Sequence, residues 1–350
     1  MPGAPTITSA GRLAVAHDES AFSRLVEDHR GALHAHCYRM LGSLHDADDA
    51  LQETLLRAWR ALPRFRGTSS HRTWLYRIAT NVCLDMIVRR PNRVLPIDYG
   101  PPRGATDAEP EQPVTERRWL EPYPDASLDV ADDSAGPDAR YEQREALELA
   151  FVAALQHLPS SQRAVLILRD VLAFSAKEAA DTLNTTPASV NGALLRARRA
   201  VDERLPHRSQ QVTLRALGHR GLREFVERFA DAFERGDVDV ILGMLAEEAT
   251  FAMPPYQSWS RGRDSIRTSW LMPGGPPPRL RYVPVSANAQ PALGTYLLDR
   301  RAGRYLPLAL DVLTFGDRGI VVDVTAFRSP SLFARFGLPT SLPHEERRRS

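Results

Sequence analysis

The sequence predicts a multi-domain chain in which two all-α domains precede a C-terminal α+β domain. Three observations carry this reading. At 350 residues the chain is more than twice the ~150 residues of an ordinary domain, which suggests two or three units. Helical periodicity fills Phe22 to Arg90 and Tyr141 to Leu205, and the stretch between, Pro91 to Arg140, holds nine prolines and little periodicity. After about Arg279 the pattern turns to β-rich runs separated by turn residues.

Composition narrows the class. With 43% hydrophobic and 25% charged residues the chain is too apolar for wholesale disorder. Its longest clean apolar stretch near the middle, Ala164 to Leu168, falls far short of the ~20 residues a bilayer span needs. The only hydrophobic segment near the N-terminus is Leu13 to Ala16, too short for a signal-peptide core, so a cytoplasmic protein with no membrane partner is expected. Cys37 and Cys83 show no metal-ligand or disulfide spacing and read as small buried residues. The net charge of +2 hides a polarised layout. Lys177 is the only lysine, so nearly all the positive charge is arginine, whose planar fork suits phosphates and stacks on bases. Nine arginines and one acid, Asp85, lie between Arg57 and Arg93, whereas eleven acids and five arginines lie between Pro91 and Arg140. A basic block is followed by an acidic, proline-rich tether.

Taken in order, residues 1–18 read as a flexible tail. On a helical wheel of Asp46 to Leu62, Ala47, Ala50, Leu51, Thr54, Leu55, Ala58 and Leu62 share one side. Asp49, Gln52, Glu53, Leu56 and Arg60 form a narrow stripe opposite. A solvated face would explain the polar members, but an aliphatic Leu56 in their midst suits a surface that a partner covers. Asp49 and Glu53 would then pair with arginines of that partner, and Gln52 would supply a hydrogen bond.

The next segment, Arg64 to Arg77, alternates arginines, aromatics and small hydroxyl residues in a loop that leads into a helix. Leu75, Ile78, Ala79, Val82 and Met86 make the buried face of that helix, which leaves Tyr76, Arg77, Thr80 and Asn81 outward. Cations for phosphates, aromatics for stacking and amides for base edges suit single-stranded or opened DNA. The alternative is a basic surface loop on which Trp74 packs.

In the second helical block, Ser175 to Leu183 reads as a short helix, Asn184 to Thr186 as a turn and Ala188 to Arg204 as a longer helix. Thr186 is placed as N-cap, with Pro187 at the first helical position. Val190, Leu194, Ala197, Val201 and Leu205 make the core stripe. Opposite lie Ala188, Ser189, Gly192, Leu195, Arg196 and Arg199, with Asn191 on the flank. Small residues at the tip and arginines further along suit a recognition helix in a major groove, against the alternative of a generic helical hairpin.

The last block opens with helices at Leu222 to Arg235 and Val238 to Ala246. A strand at Thr250 to Met253 and a helix at Asp264 to Trp270 come next. Four β-rich runs follow, Arg279 to Ala287, Thr295 to Leu298, Leu306 to Phe315 and Ile320 to Phe327, the last two joined by a hairpin turn at Gly316 to Gly319.

These blocks resemble a known family. Asp46 to Thr54 with Ala58-Trp59-Arg60 resembles the core-binding helix of sigma region 2, and Arg64-Phe65-Arg66 with Thr73 to Asn81 resembles the promoter-melting element after it. Leu158-Pro159, Gln162-Arg163 and Phe174 to Arg199 resemble the helix-turn-helix of sigma region 4. The chain is thus similar to a bacterial RNA polymerase sigma factor of the extracytoplasmic-function group over roughly residues 20 to 205. The resemblance implies that Asp49, Gln52, Glu53 and Leu56 face the polymerase core enzyme. It implies that Arg72, Trp74, Arg77 and Asn81 contact the opened −10 strand, and that Thr186, Ser189, Asn191, Arg196 and Arg199 face the −35 duplex. The C-terminal block resembles the SnoaL-like fold, a cone of helices and a curved antiparallel sheet enclosing a pocket, and Trp119 to Pro124 resembles a linker motif of sigma factors that carry it. A regulatory contact is expected in which the Trp119 and Tyr123 patch docks on the cone near Tyr256, Trp259 and Val321 to Phe327, tuned by a small-molecule or protein signal.

The expected boundaries are 19–90 for region 2, 91–140 for the tether, 141–206 for region 4, 207–218 for a connector, 219–338 for the cone and 339–350 for a tail. No cofactor is expected. Asp311 and Asp323 would make an acid/base pair if both faced the cone, but no histidine, nucleophile or metal spacing accompanies them, so the expectation is a non-enzyme. The alternative reading is a DNA-binding regulator fused to a ligand-binding or enzymatic cone.

Overall fold

The computed structural model describes residues 9–344 except 66, 68, 91, 105–111, 115–118, 128–141, 207 and 271–278; at 9–19, 21, 270 and 318 it describes the backbone alone. The expected tail ends 1–8 and 345–350, Arg66 and the acidic stretch 128–140 therefore lie outside the described residues.

The first domain is three helices, α1 (Ser9–Leu41), α2 (Leu44–Ala61) and α3 (His71–Val88). Helix α1 runs through residues 9–18, where a flexible tail was expected. Ser43 caps α2 by accepting from the Asp46 N–H, and Gly42 turns the corner before it at φ 69°, where a Cβ would lie 2.8 Å from Leu120. Ala47, Ala50, Leu51, Thr54 and Ala58 are buried on α2, and Leu75, Ala79 and Val82 on α3, as periodicity predicts. Tyr76 and Thr80, expected outward, are buried too. Tyr76 packs edge-on against His36 and Phe174, and Thr80 Oγ1 lies 3.0 Å from His36 Nε2. Helix α1 and the second domain cover this face, which single-helix periodicity does not register.

That second domain comprises α4 (Leu149–Gln156), α5 (Ser160–Leu166) extended by a π turn (Ile167–Val171), α6 (Ala176–Leu183) and α7 (Pro187–Asp202). It shares one continuous core with the first. At the seam Arg163, 1% exposed, donates to the carbonyls of Met40, Gln156 and Leu158 and to the Gln156 side chain. Arg39 answers from α1 by donating to the Ala146 and Gln143 carbonyls. The buried Arg163 guanidinium is tolerated because carbonyl and amide oxygens take both its Nη groups, although its Nε has no partner among the described residues.

The tether holds more order than a loose linker: residues 92–104, 112–114 and 119–127 are described, and Arg93, Pro96, Leu120, Pro122, Tyr123 and Pro124 among them are buried. Arg93 is buried against the Asp46 carboxylate and the Trp119 carbonyl, and Glu121 accepts from Ser43 Oγ and the Leu44 N–H. Burial between domains orders this chain where its prolines and charge predict a loose tether.

The C-terminal domain has three helices, α8 (Gln210–Arg235, kinked at Gly218), α9 (Val238–Gly243) and α10 (Arg263–Trp270). Its strands are β1 (Leu245–Ala252), β2 (Trp259–Arg261), β3 (Leu280–Ala287), β4 (Gln290–Asp299), β5 (Arg304–Phe315), β6 (Val321–Phe327) and β7 (Leu342–Pro343). The sheet order is β2-β1-β6-β5-β4-β3, with β7 on β5. Pairing is antiparallel except between β1 and β6, which run parallel, so the sheet is mixed and not wholly antiparallel. Helix α8 takes up the expected connector, and β7 pairs within the expected tail.

The sheet has two apolar faces. Leu293, Leu313 and Phe315 look toward α8, where Val226, Phe229 and Ala232 complete an inner core. Ala292, Leu310 and Val312 on the other face join the core of the helical domains. Among the described residues, no helix is long and apolar enough to cross a membrane.

Candidate functional site

On α2 the stripe predicted from the wheel is accessible. Asp49 and Gln52 are exposed and Leu56 is 45% exposed. Glu53 is half-buried and accepts from Arg57 Nε at 2.7 Å. Trp59, also exposed, extends the stripe and packs against Phe22 with ring centroids 5.1 Å apart. Its place seven residues after Gln52 was the sequence signal for including it. Exposed leucine and tryptophan between carboxylates make a surface with apolar purchase and negative rim. The cone reaches its edge, since Arg335 Nη2 donates to Asp48 Oδ2 at 2.7 Å, one residue from Asp49.

The arginine-aromatic segment is split by the packing of the two helical domains. Arg72 turns toward the second domain: its Nη2 donates to the Leu172 carbonyl at 3.0 Å, and its guanidinium sits over the Tyr76 and Phe174 rings. Beside it Thr73 Oγ1 donates to Glu178 at 3.3 Å. Trp74 is partly buried and packs on Phe65 at 5.0 Å, so it serves the loop's own packing in this arrangement. Arg77 is exposed, and Asn81 Nδ2 donates to the Arg77 carbonyl.

The helix pair α6–α7 forms as its caps dictate. Ser175 and Glu178 make a reciprocal capping box on α6, and Asn184 ends that helix at φ 50° in the left-handed region that asparagine tolerates. Thr186 Oγ1 accepts from the Ser189 N–H and donates to Ser189 Oγ, so this hydroxyl is already engaged as the cap of α7. Val190, Leu194, Ala197 and Val201 are buried. Opposite, Ser189, Asn191, Arg196 and Arg199 are exposed, and Leu195, 72% exposed, stands among them. Arg196 folds back over the notch at Gly192, and Arg199 pairs loosely with Glu203. Arg198 instead forks onto Asp170 with two bonds of 2.7 and 2.8 Å, a staple back to the domain.

Trp119, Tyr123 and Trp259 do not meet as one cluster. Trp119 packs on Tyr99 and donates to the Val114 carbonyl. Trp259 receives a different part of the tether: its Nε1 donates to the Gly100 carbonyl, and its own carbonyl accepts from the Arg103 N–H. Tyr123 is fully buried between Tyr38 and His34, 2.9 Å from His34 Nδ1. Burial raises the Tyr123 hydroxyl pKa and lowers that of His34, so both are neutral here.

Sequence reasoning missed the residue at the centre of this junction. Asn288, at the tip of the β3–β4 hairpin, is 0% exposed. Its Oδ1 accepts from the Tyr123 N–H at 2.8 Å, and its Nδ2 donates to Tyr38 Oη at 3.0 Å and the Leu147 carbonyl at 2.9 Å. Gln290 Oε1 adds a bond from the Leu149 N–H. The available signal was Asn288-Ala289 between β-rich runs, a turn in which both residues take positive φ.

Asp311 and Asp323 lie on opposite faces of the sheet and form no pair. Asp323 accepts from Thr250 and Thr325. Asp311 looks into the cone and accepts from Thr295 Oγ1 at 2.6 Å. Burial lifts the Asp311 carboxyl to about 7.

Three family models match the chain in order: sigma-70 region 2 over residues 25–93, sigma-70 region 4 over 148–201 and a SnoaL-like domain over 226–327. The chain is 43% identical over 341 residues to the ECF RNA polymerase sigma factor SigG of Mycobacterium tuberculosis, covering 95% of this chain and 88% of that one. It is 31% identical over 191 residues to the ECF RNA polymerase sigma factor SigW of Bacillus subtilis, covering 54% of this chain and 90% of that one. The crystal structure of the M. tuberculosis extracytoplasmic function sigma factor SigJ shares the fold, with a TM-score of 0.54 at 22% identity over 92% of this chain and 99% of that one.

Proposed function

The chain belongs to the extracytoplasmic-function RNA polymerase sigma factors, and from that premise we propose that it binds the polymerase core enzyme, recognises −35 and −10 promoter elements and starts transcription from them. The observation that supports this best is the recognition helix. Its buried stripe is complete, and the opposite face offers Ser189, Asn191, Arg196 and Arg199 to solvent as a unit. In this reading these residues meet the −35 duplex, with Thr186 fixing the helix tip. Asp49, Gln52, Glu53 and Leu56 meet the core enzyme, and Arg72, Trp74, Arg77 and Asn81 meet the opened −10 strand. The polymerase supplies the chemistry, and the cone regulates and does not catalyse.

The compact arrangement opposes that activity. Arg72, although exposed, spends its guanidinium on Leu172 and Phe174 in competition with a DNA strand, and the seam around Arg163 holds together two domains that must reach separate promoter elements. The cone strengthens the closed state by engaging α1, the tether and the lead into the second domain through Asn288. The protein is read as cytoplasmic, with domains near the boundaries read from the sequence. Run-off transcription with purified core enzyme tests the proposal. A promoter-specific transcript that needs this chain supports it, and a chain that binds promoter DNA yet cannot replace a sigma factor refutes it.

A further inference from the structure

From Arg204 to Arg223 the chain carries five arginines and no aspartate or glutamate. The stretch begins just past the C-terminal end of the recognition helix α7 and runs along the first half of α8, so its charge follows directly on the face read as the −35 contact.

The fold turns these arginines outward. On α8, Gln210, Gln211 and Thr213 are buried, and Leu214, Leu217 and Leu222 pack against the inner core of the cone. Arg204, Arg208, Arg215, Arg220 and Arg223 are exposed, with His219 among them. The acids beside them sit at the surface: Asp317 accepts from Arg208 at 3.0 Å, and Glu224 pairs with Arg220 at 3.1 Å. Exposed pairs of this kind are weak, so a phosphate can take either guanidinium.

Bonds at the head of α8 fix where this charge lies. Ser209 Oγ donates to Glu145, and Glu148 Oε1 accepts from the Gln211 N–H at 2.9 Å, which ties α8 to the entry of the second domain. Gln210 exchanges two bonds of 2.7 Å with the Phe315 backbone, which ties it to the cone as well. The chain from Arg199 to Arg208 spans at most about 30 Å, less than the ~34 Å turn of a duplex. The basic stretch therefore starts within one turn of the arginines on α7.

We propose that the exposed arginines of α8 bind phosphates of the duplex beside the −35 element, so that the first helix of the cone adds a sequence-independent grip to the recognition helix. This rests on the reading of α7 as the −35 contact. Arginine suits the role because its fork takes two phosphate oxygens at once. Each such contact also releases counterions and steepens the dependence of affinity on salt.

The test is fluorescence anisotropy of the full chain with two duplexes of about three turns each, one from the promoter that run-off transcription identifies and one of mixed sequence. Arg215→Gln with Arg223→Gln should flatten the slope of log affinity against log salt by about two units on both duplexes. Between about 50 and 200 mM salt the wild type should then lose about tenfold more affinity than this double variant. The preference for promoter over mixed sequence should stay as in the wild type, because phosphates carry no sequence. Arg215→Lys with Arg223→Lys should keep the wild-type slope. So should Arg300→Gln with Arg301→Gln, two exposed arginines of the β4–β5 turn outside the stretch. A slope unmoved by the first double variant overturns the proposal, as does one moved equally by the lysine substitutions or by those at the β4–β5 turn. Failure of the wild type to bind either duplex overturns it too. A wild type with no preference for the promoter that still shows the slope difference removes the −35 reading and leaves the phosphate contact of α8 standing.

Discussion

Replacing Asn288 by alanine should loosen the cone from the helical domains without unfolding either part. The side chain is fully buried and makes three hydrogen bonds to three separate segments. Truncation strands the Tyr123 N–H and the Leu147 carbonyl in a dry junction, at roughly 1–3 kcal/mol for each unsatisfied group. Tyr38 Oη still donates to the Glu121 carbonyl, so it loses an acceptor role and not its donor bond. The turn adds a backbone cost, because position 288 has φ 55° and alanine tolerates that region less well than asparagine by about 1 kcal/mol. The total is about 3–7 kcal/mol against the closed arrangement. Asn288→Gly removes the backbone part and should recover only about 1 kcal/mol of it. Hydrogen exchange is the assay: amides of residues 119–125 and 146–149 should lose protection, while those of β4 and β5 keep theirs. Protection at Tyr123 and Leu149 equal to the wild type would refute the assignment of Asn288 as the tie.

Other outcomes follow from the same geometry. Arg196→Ala and Arg199→Ala should each flatten the slope of log affinity against log salt for promoter duplex by about one unit, measured by fluorescence anisotropy, with α7 intact by circular dichroism. Asp49→Arg with Glu53→Arg should abolish co-purification with core polymerase, and equal recovery with the wild type would remove that stripe from the interface. For Asp311 the folded pKa of about 7 lies above the unfolded carboxylate value, so stability falls as pH rises through that window and levels above it. Asp311→Asn should therefore raise the melting temperature relative to wild type at pH 8 and lose most of that advantage near pH 4.

Much of this molecule was legible in its sequence where local periodicity decides the outcome. The buried stripe of α2, the caps and core stripe of α7 and the turn at 316–319 follow from spacing and capping chemistry alone. What escaped was set by other parts of the chain. Tyr76 is inside because Phe174 of the second domain lies on its face of α3, Thr80 because His36 of α1 meets it, and Arg72, although exposed, leans on Leu172 and Phe174 of the second domain. Strand β4 begins five residues before the run expected at Thr295 and passes through Pro291 and Gly294, residue types that ordinarily weaken a strand. Gly294 is instead a contact requirement: a Cβ there would stand 2.6 Å from Leu338 Cδ1. The order along the tether arises likewise from burial among three domains, which composition does not encode.

The junction at Asn288 has a consequence for how a signal would be read out. One amide is shared by a first-domain helix, the tether and the entry to the second domain, so the departure of any one leaves part of that buried amide without a partner and makes partial opening costly. Release is then close to two-state, and a graded input changes the fraction of open molecules without creating a half-open species. If polymerase accepts only open molecules, its apparent dissociation constant is the intrinsic one divided by that fraction. A closed-state preference of about 3 kcal/mol would weaken it roughly 100-fold, and a ligand favouring the open form could restore no more than its own difference in affinity for the two states.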